Sequence, residues 1–184
     1  REPYSKEWGR THYCGELDSA EIGAEVVLNG WVKRRRDLGN LIFIELRDRS
    51  GYVQVVCDPS RSESVAAAAK ALRPEFVVGV RGEVIARTQE NINPDMPTGE
   101  IEIAATEVAL FNGAETPPFE IKDDTNAGED LRLEYRYLDL RRPRLQSSLM
   151  LRHVAALGIR NFLSEEGFIE VETPILTRST PEGA

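Results

Sequence analysis

The sequence predicts a mainly β protein: a small five-stranded barrel, then a polar linker, then the first helix and strand of a second, α+β unit. Three observations predict it. Alternating apolar and polar residues recur in five short runs, with one alanine-rich helical run between the third and fourth. The texture turns polar and Pro/Gly-containing after Asn112-Gly113. Beyond that stretch lie only one long helical pattern and one short alternating run, too little to close a core of their own.

The first run starts at Glu25, where Val26, Leu28 and Val32 alternate with Val27, Asn29, Trp31 and Lys33. Asp37-Leu38-Gly39-Asn40 reads as a turn. The second run, 41–47, sets Ile42, Ile44 and Leu46 on one face. Asp48-Arg49-Ser50-Gly51 is a second turn, and run 52–57 puts Val53, Val55 and Cys57 inward. Asp58-Pro59-Ser60 ends that strand. Ser60 or Ser62 then caps a helix through about Leu72, and Arg73-Pro74 stops it. The fourth run, 76–87, contains Gly79 and Gly82, which suit bulges or close backbone approach. A loop over 91–98 with Pro94 and Pro97 leads to the last run, 99–110, where Ile101 and Ile103 face in and Glu100 and Glu102 face out. Three strands, a helix and two strands is the order of an OB-fold barrel, which binds oligonucleotides on its second and third strands.

The division that follows is a tail over 1–12, the OB-fold domain over 13–113, a linker or hinge over 114–142, and the second unit over 143–184. In that last part Pro143 suits a first helical turn, Gly167 suits a helix terminator, and 168–173 alternates as a strand ending at Pro174.

Hydrophobic residues at 41% and charged residues at 29% indicate a globular chain rather than a disordered one. No apolar run approaches the roughly 18 residues of a membrane span, so no membrane partner is expected. The opening residues have no apolar stretch of a signal peptide, which points to the cytoplasm. Cys14 and Cys57 read as two reduced thiols. With His12 and His153 they are too few and at the wrong spacing for a zinc site, so no metal ligand is expected; no P-loop and no Ser/His/Asp arrangement marks a catalytic residue in these residues.

A net charge of −8 argues against indiscriminate nucleic-acid binding, yet the basic residues are grouped. Lys33-Arg34-Arg35-Arg36 is the densest cluster; Arg132, Arg136, Arg141, Arg142 and Arg144 form a second run, with Arg152 just beyond. Period-two counting turns Phe43 outward with Glu45 and Arg47, Gln54 outward on the next strand, and Trp31 outward beside Lys33 and Arg35. An aromatic ring flanked by guanidinium groups and an amide suits an unstacked base: the ring stacks, the amide reads an edge, the arginines hold phosphate. The alternative is that Phe43 packs under a loop and the charges form a solvated face. Glu102 on such a surface makes sense as an acceptor for base N–H donors, or else as a solvated strand carboxylate. Asn91 and Asn93, after Arg87, can hydrogen-bond bases or simply make a polar loop.

Several segments, taken together, carry a resemblance. They are Arg10-Thr11-His12-Tyr13-Cys14-Gly15, Gly30-Trp31-Val32-Lys33-Arg34-Arg35-Arg36-Asp37-Leu38-Gly39, Leu41-Ile42-Phe43-Ile44, Asn91-Ile92-Asn93 with Thr98-Gly99-Glu100-Ile101-Glu102, and Tyr135-Arg136-Tyr137-Leu138-Asp139-Leu140-Arg141-Arg142. They resemble the N-terminal portion of bacterial aspartyl-tRNA synthetases. Glu170-Val171-Glu172-Thr173-Pro174 resembles class II synthetase motif 1, and Thr180-Pro181-Glu182-Gly183-Ala184 the start of the mobile substrate loop.

The resemblance implies an aspartate–tRNA ligase as the full-length parent, using ATP and Mg2+ to activate aspartate for tRNA(Asp), with no cofactor bound by this part. It implies anticodon contacts from Arg36, Phe43, Gln54, Arg87, Asn91 and Glu102, the ring stacking on the middle anticodon base. It further implies that Glu182 closes over the aspartate ammonium group, and that Pro174 and the preceding helix build a homodimer contact. Leu38 and Asn91 look like the form that charges aspartate tRNA alone. The competing readings are an asparaginyl- or lysyl-type class II synthetase and a stand-alone OB-fold nucleic-acid-binding module.

Overall fold

The computed structural model describes residues 6–176. Five strands, β1 (Glu25–Leu38), β2 (Leu41–Arg47), β3 (Tyr52–Cys57), β4 (Val77–Ala86) and β5 (Ile101–Asn112), close into a barrel in the order β1-β2-β3-β5-β4. Helix α1 (Glu63–Ala71) lies between β3 and β4 in the chain, as the OB order requires. Neighbouring strands run antiparallel except β3 and β5, whose short parallel pairing completes the closure. The pleat sends Ile42, Ile44 and Leu46 of β2 and Val53, Val55 and Cys57 of β3 into one core with Val26, Leu28, Val80, Ile101 and Ile103. The α1 N-cap is Ser62, whose hydroxyl accepts from the Val65 N–H at 3.4 Å; Val65 and Ala69 then enter the core.

β1 departs from simple alternation. Its ladder with β2 pairs Val32 with Leu46 and then Arg34 with Glu45, leaving Lys33 as an extra residue in a bulge. Side-chain parity reverses there. Arg34 and Arg36 take the outer face, while Arg35 turns back to donate to the carbonyls of Lys70 and, at 3.1 Å, Leu72 at the end of α1. The expectation that Trp31, Lys33 and Arg35 share one outward face is therefore corrected: an uninterrupted period of two cannot register an inserted residue.

The expected loose tail through residue 12 also needs correction over residues 8–12. The Trp8 ring meets Phe111 edge to face at 5.7 Å, and the Arg81 guanidinium lies 5.3 Å from it. Asn29 Nδ2 donates to the Trp8 carbonyl at 2.8 Å, and the Thr11 N–H donates to the Val27 carbonyl at 2.9 Å. Gly79 permits this docking, since a Cβ there would stand 2.5 Å from Phe111 and 2.6 Å from Trp8. Gly82 likewise lets β5 approach, where a Cβ would lie 2.5 Å from the Ala104 carbonyl oxygen.

The chain divides into two compact units, the first ending at Pro117 and the second beginning at Pro118. The second unit contains α2 (Glu129–Glu134), α3 (Arg136–Asp139) and the long α4 (Pro143–Glu165). The stretch expected as linker is partly an organised ionic cluster. Asp139 is fully buried, with Arg136 Nη1 at 2.6 Å, Arg142 Nη1 at 2.8 Å and Arg132 at 3.9 Å. Asp123 adds to it by accepting from the Arg144 N–H at 3.2 Å, capping the first turn of α4. Much of the arginine run is thus engaged by carboxylates of its own unit. The strand expected over 168–173 does not form; those residues carry no strand assignment among the described residues. A strand exists only with a pairing partner. Glu182 lies outside the described residues.

Cys14 and Cys57 are free and buried, and burial pushes the Cys57 thiol up to about 12. The Cys14 thiol is raised as well, by burial first and then by the Asp48 charge. No helix among the described residues is long and apolar enough to cross a membrane.

Asp48 fastens the β2–β3 turn to the segment before β1. Its Oδ1 accepts from the Ser50 hydroxyl at 2.6 Å and the Ser50 N–H at 2.8 Å, and its Oδ2 accepts from the Cys14 N–H at 2.8 Å. Burial pushes this carboxyl up, but the bonds from Ser50 and Cys14 outweigh it and hold the group below its usual value. A depressed carboxyl stabilises the fold above the unfolded value, and the gain is lost as pH falls through the folded one. Asp48→Asn should therefore lower unfolding free energy by about 1–3 kcal/mol at neutral pH. In denaturant titrations the gap between the two proteins should shrink below about pH 4. A gap that stays constant with pH would show that the charge contributes nothing.

Candidate nucleic-acid interface

The pleat that buries Ile42, Ile44 and Leu46 necessarily turns Phe43, Glu45 and Arg47 outward on β2. Across the β2–β3 ladder, Phe43 pairs with Val56, Glu45 with Gln54, and Arg47 with Tyr52. On the other side Arg36 pairs with Phe43, a placement that depends on the bulge at Lys33. Above Phe43 and Gln54 opens a depression of about 450 Å³. Its walls include Arg36, Phe43, Gln54, Arg87, Asn91 and Glu102, so every residue expected to contact an anticodon borders one concave surface. Leu38, Leu41, Val56 and Ile85 supply its apolar part, and Asn93, Asp58 and Arg61 complete the rim.

The polar groups are tied to one another. Gln54 Nε2 donates to Glu102 Oε2 at 2.8 Å, while its Oε1 accepts from Arg36 Nη2 at 3.4 Å. Arg36 also stands 3.3 Å from Glu45 Oε1. These contacts orient the Gln54 amide with its oxygen toward the basic side and its nitrogen toward the acidic side. A base arriving over Phe43 would meet acceptor and donor groups at set positions. A carboxylate on that wall selects for base N–H donors and repels phosphate.

Arg87 differs from the other five. It is only 8% exposed, and its Nε donates to the Ile101 carbonyl at 2.8 Å. Its Nη1 reaches the Asn91 carbonyl at 3.4 Å, and Nη2 lies 3.4 Å from Met96 Sδ. Burial lowers the Arg87 pKa, with the nearby Glu102 opposing that effect. The guanidinium therefore braces the loop between β4 and β5 and holds Asn91 over the depression. The Asn91 amide itself donates to Thr88 Oγ1 at 2.8 Å.

Glu100 is exposed and outside the lining. Trp31 sits opposite Arg47, whose Nη2 meets both Glu75 oxygens at 2.9 and 3.0 Å. Tyr52 and the role of Glu45 escape a reading of the sequence. Tyr52 lies two residues before Gln54, so parity alone places it on the same face; Lys33 Nζ covers its ring at 3.5 Å.

Residues 26–111 match the family model described as an OB-fold nucleic acid binding domain, and residues 128–184 match that of class II tRNA synthetases (D, K and N). The aspartate–tRNA(Asp/Asn) ligase of Halothermothrix orenii is 58% identical over 175 residues, 95% of this chain and 30% of the relative. The aspartate–tRNA ligase of Geobacillus kaustophilus is 56% identical over 175 residues, again 95% of this chain and 30% of the relative. Among solved structures, the asparaginyl-tRNA synthetase from Pyrococcus horikoshii superimposes with a TM-score of 0.77 at 29% identity, covering 92% of this chain and 39% of that one. The chain spans about 30% of the length of these curated relatives. By its sequence, the chain belongs to the aspartate–tRNA ligase family, and it carries an OB-fold nucleic-acid-binding domain with a segment of a class II tRNA synthetase domain.

Proposed function

We propose that the barrel reads the anticodon of an aspartate tRNA, and that the longer protein to which these residues belong is an aspartate–tRNA ligase. The observation that carries this reading is the gathering of Arg36, Phe43, Gln54, Arg87, Asn91 and Glu102 around one depression on the β2–β3 face. A base swung out of the anticodon loop stacks on Phe43 and presents its edge to Gln54, Arg36 and Glu102. Asn91 offers a further polar contact from the loop that Arg87 braces.

The full-length protein would work in the cytoplasm as a homodimer, with α4 and Pro174 contributing to the subunit contact and Glu182 closing over the aspartate ammonium group. It would activate aspartate with ATP and Mg2+ and transfer it to the terminal adenosine of tRNA. Class II enzymes hold ATP through motifs 2 and 3, which these 184 residues do not contain. The residues present bind tRNA without charging it. An asparaginyl or lysyl identity has less support, because the relatives at 56% and 58% identity carry aspartate names while the asparaginyl structure stands at 29%. A stand-alone binding module has no use for the class II segment over 128–184.

The test is a titration of this chain with RNA stem-loops that differ only in the anticodon. Tightest binding to the aspartate anticodon is expected; equal binding to all would overturn the reading. Phe43→Ala should weaken binding of the cognate stem-loop by about 1–3 kcal/mol, the usual cost of losing a base stack. Unchanged affinity in a folded variant would remove the stacking role.

A finer reading, that the longer protein charges aspartate tRNA alone, is what the resemblance implies at Leu38 and Asn91. The same titration should find the asparagine anticodon markedly weaker. Comparable affinity would overturn that finer reading and leave the broader one standing.

A further inference from the structure

Glu45 stands in the middle of the outer β2 row, between Phe43 and Arg47, and neither base stacking nor the Gln54–Glu102 pair requires it. Its side chain is only 15% exposed and lies 3.3 Å from Lys33 Nζ and 3.3 Å from Arg36 Nη2. One carboxylate thus holds two cations that arrive from either side of the bulge. Lys33 is the bulged residue, and bulges re-aim side chains. Here the ammonium is laid on the Tyr52 ring at 3.5 Å as well as on Glu45.

Two unrestrained cations on a face that meets RNA would seek phosphate. That contact raises affinity for any sequence and carries no information about bases. A carboxylate beside both neutralises half of their charge, keeps their heads against the sheet and repels phosphate. Fully exposed ion pairs restrain little. Glu45 is mostly covered, so its hold is firmer. Resting on the anticodon-reading proposal, we infer that Glu45 is a specificity-determining residue: it keeps Lys33 and Arg36 from phosphate, so that base edges decide which RNA binds. Arg36 retains its contact with Gln54 Oε1 at 3.4 Å and so fixes the amide that faces the base.

The test measures the 184-residue chain against cognate and non-cognate anticodon stem-loops over a range of salt. In Glu45→Gln the non-cognate stem-loop should bind about tenfold tighter and the cognate within about threefold of wild type, which collapses most of the discrimination. The slope of log affinity against log salt should steepen by about 0.7 to 1.4, as one or two freed cations meet single-stranded phosphates. Glu45→Asp, which keeps the charge, should restore both wild-type values. Lys33→Met should leave the slope alone in wild type and reduce it in the Glu45→Gln background.

Unchanged discrimination and slope in folded Glu45→Gln would overturn the inference. So would an equal loss of affinity for both stem-loops at constant slope, the mark of a merely structural carboxylate. If Glu45→Gln does not fold, Lys33→Met alone decides: a lowered slope in that single variant means that Lys33 already holds phosphate, and the inference fails. Wild-type protein that does not distinguish the stem-loops would instead remove the anticodon reading, and this inference with it.

Discussion

The arrangement of the outer face depends on one inserted residue. Between Val32 and Arg34 the β1–β2 ladder takes in Lys33 without a partner. Without the bulge, Arg35 would follow Trp31 onto the outer face and Arg36 would turn toward the interior. With it, Arg36 lies across from Phe43, and Arg35 reaches the carbonyl end of α1. The same bend in β1 therefore places a cation beside the Phe43 ring and satisfies carbonyls that the end of a helix leaves open. A side chain sent the wrong way would lose both contacts together.

A second constraint acts on the far wall. Glu102 reaches the depression because Ile101 and Ile103 are buried on either side of it, and Asn91 reaches it because Arg87 ties its carbonyl back toward β5. Arg87 is held by a main-chain carbonyl at 2.8 Å, whereas Arg36 meets side chains, at 3.3 and 3.4 Å. The two arginines look alike in the sequence but differ in freedom. Arg87 cannot leave its place without exposing unpaired groups, which suits a brace. Arg36 stands on the wall of the depression with its contacts at the long end of the hydrogen-bond range, where it can steady Gln54 and still meet a base edge.

Alternation made much of this legible. A strand with one buried face repeats every two residues, so the inward set of β2 and β3, the outward Phe43 and Gln54, and the opposition of Ile101 to Glu102 all follow from counting. Ser62 and Arg73-Pro74 likewise mark the limits of α1 by local chemistry. What escaped counting depends on partners distant in sequence. The bulge exists only relative to β2. The docking of Trp8 needs Gly79 and Phe111, more than 70 and 100 residues away. A polar stretch reads as linker by composition, yet Asp139 gathers Arg136 and Arg142 from three residues to either side once α3 and its following turn form. Residues 168–173 have a strand's pattern but no partner among the described residues, and pattern without a partner makes no ladder.

The chain's charge is used in two opposed ways. Overall it is −8, which lowers attraction to any polyanion at a distance. Locally it concentrates cations, then pairs several of them: Arg136 and Arg142 with a buried carboxylate, Lys33 and Arg36 with a mostly covered one, Arg47 with Glu75. Buried pairing at Asp139 removes charge from the surface for good, since breaking it strands an ion in the interior. Pairing at Glu45 leaves both cations at the edge of solvent but holds their heads against the sheet, beside a carboxylate that phosphate avoids. A surface built in this way gains little from a phosphate backbone alone. On the proposed reading, binding must then draw on the ring of Phe43 and the fixed amide of Gln54, the two groups proposed to sense whether a base is unstacked and which edge it presents. Weak electrostatic attraction is, on this view, what lets a few base contacts dominate the choice of partner.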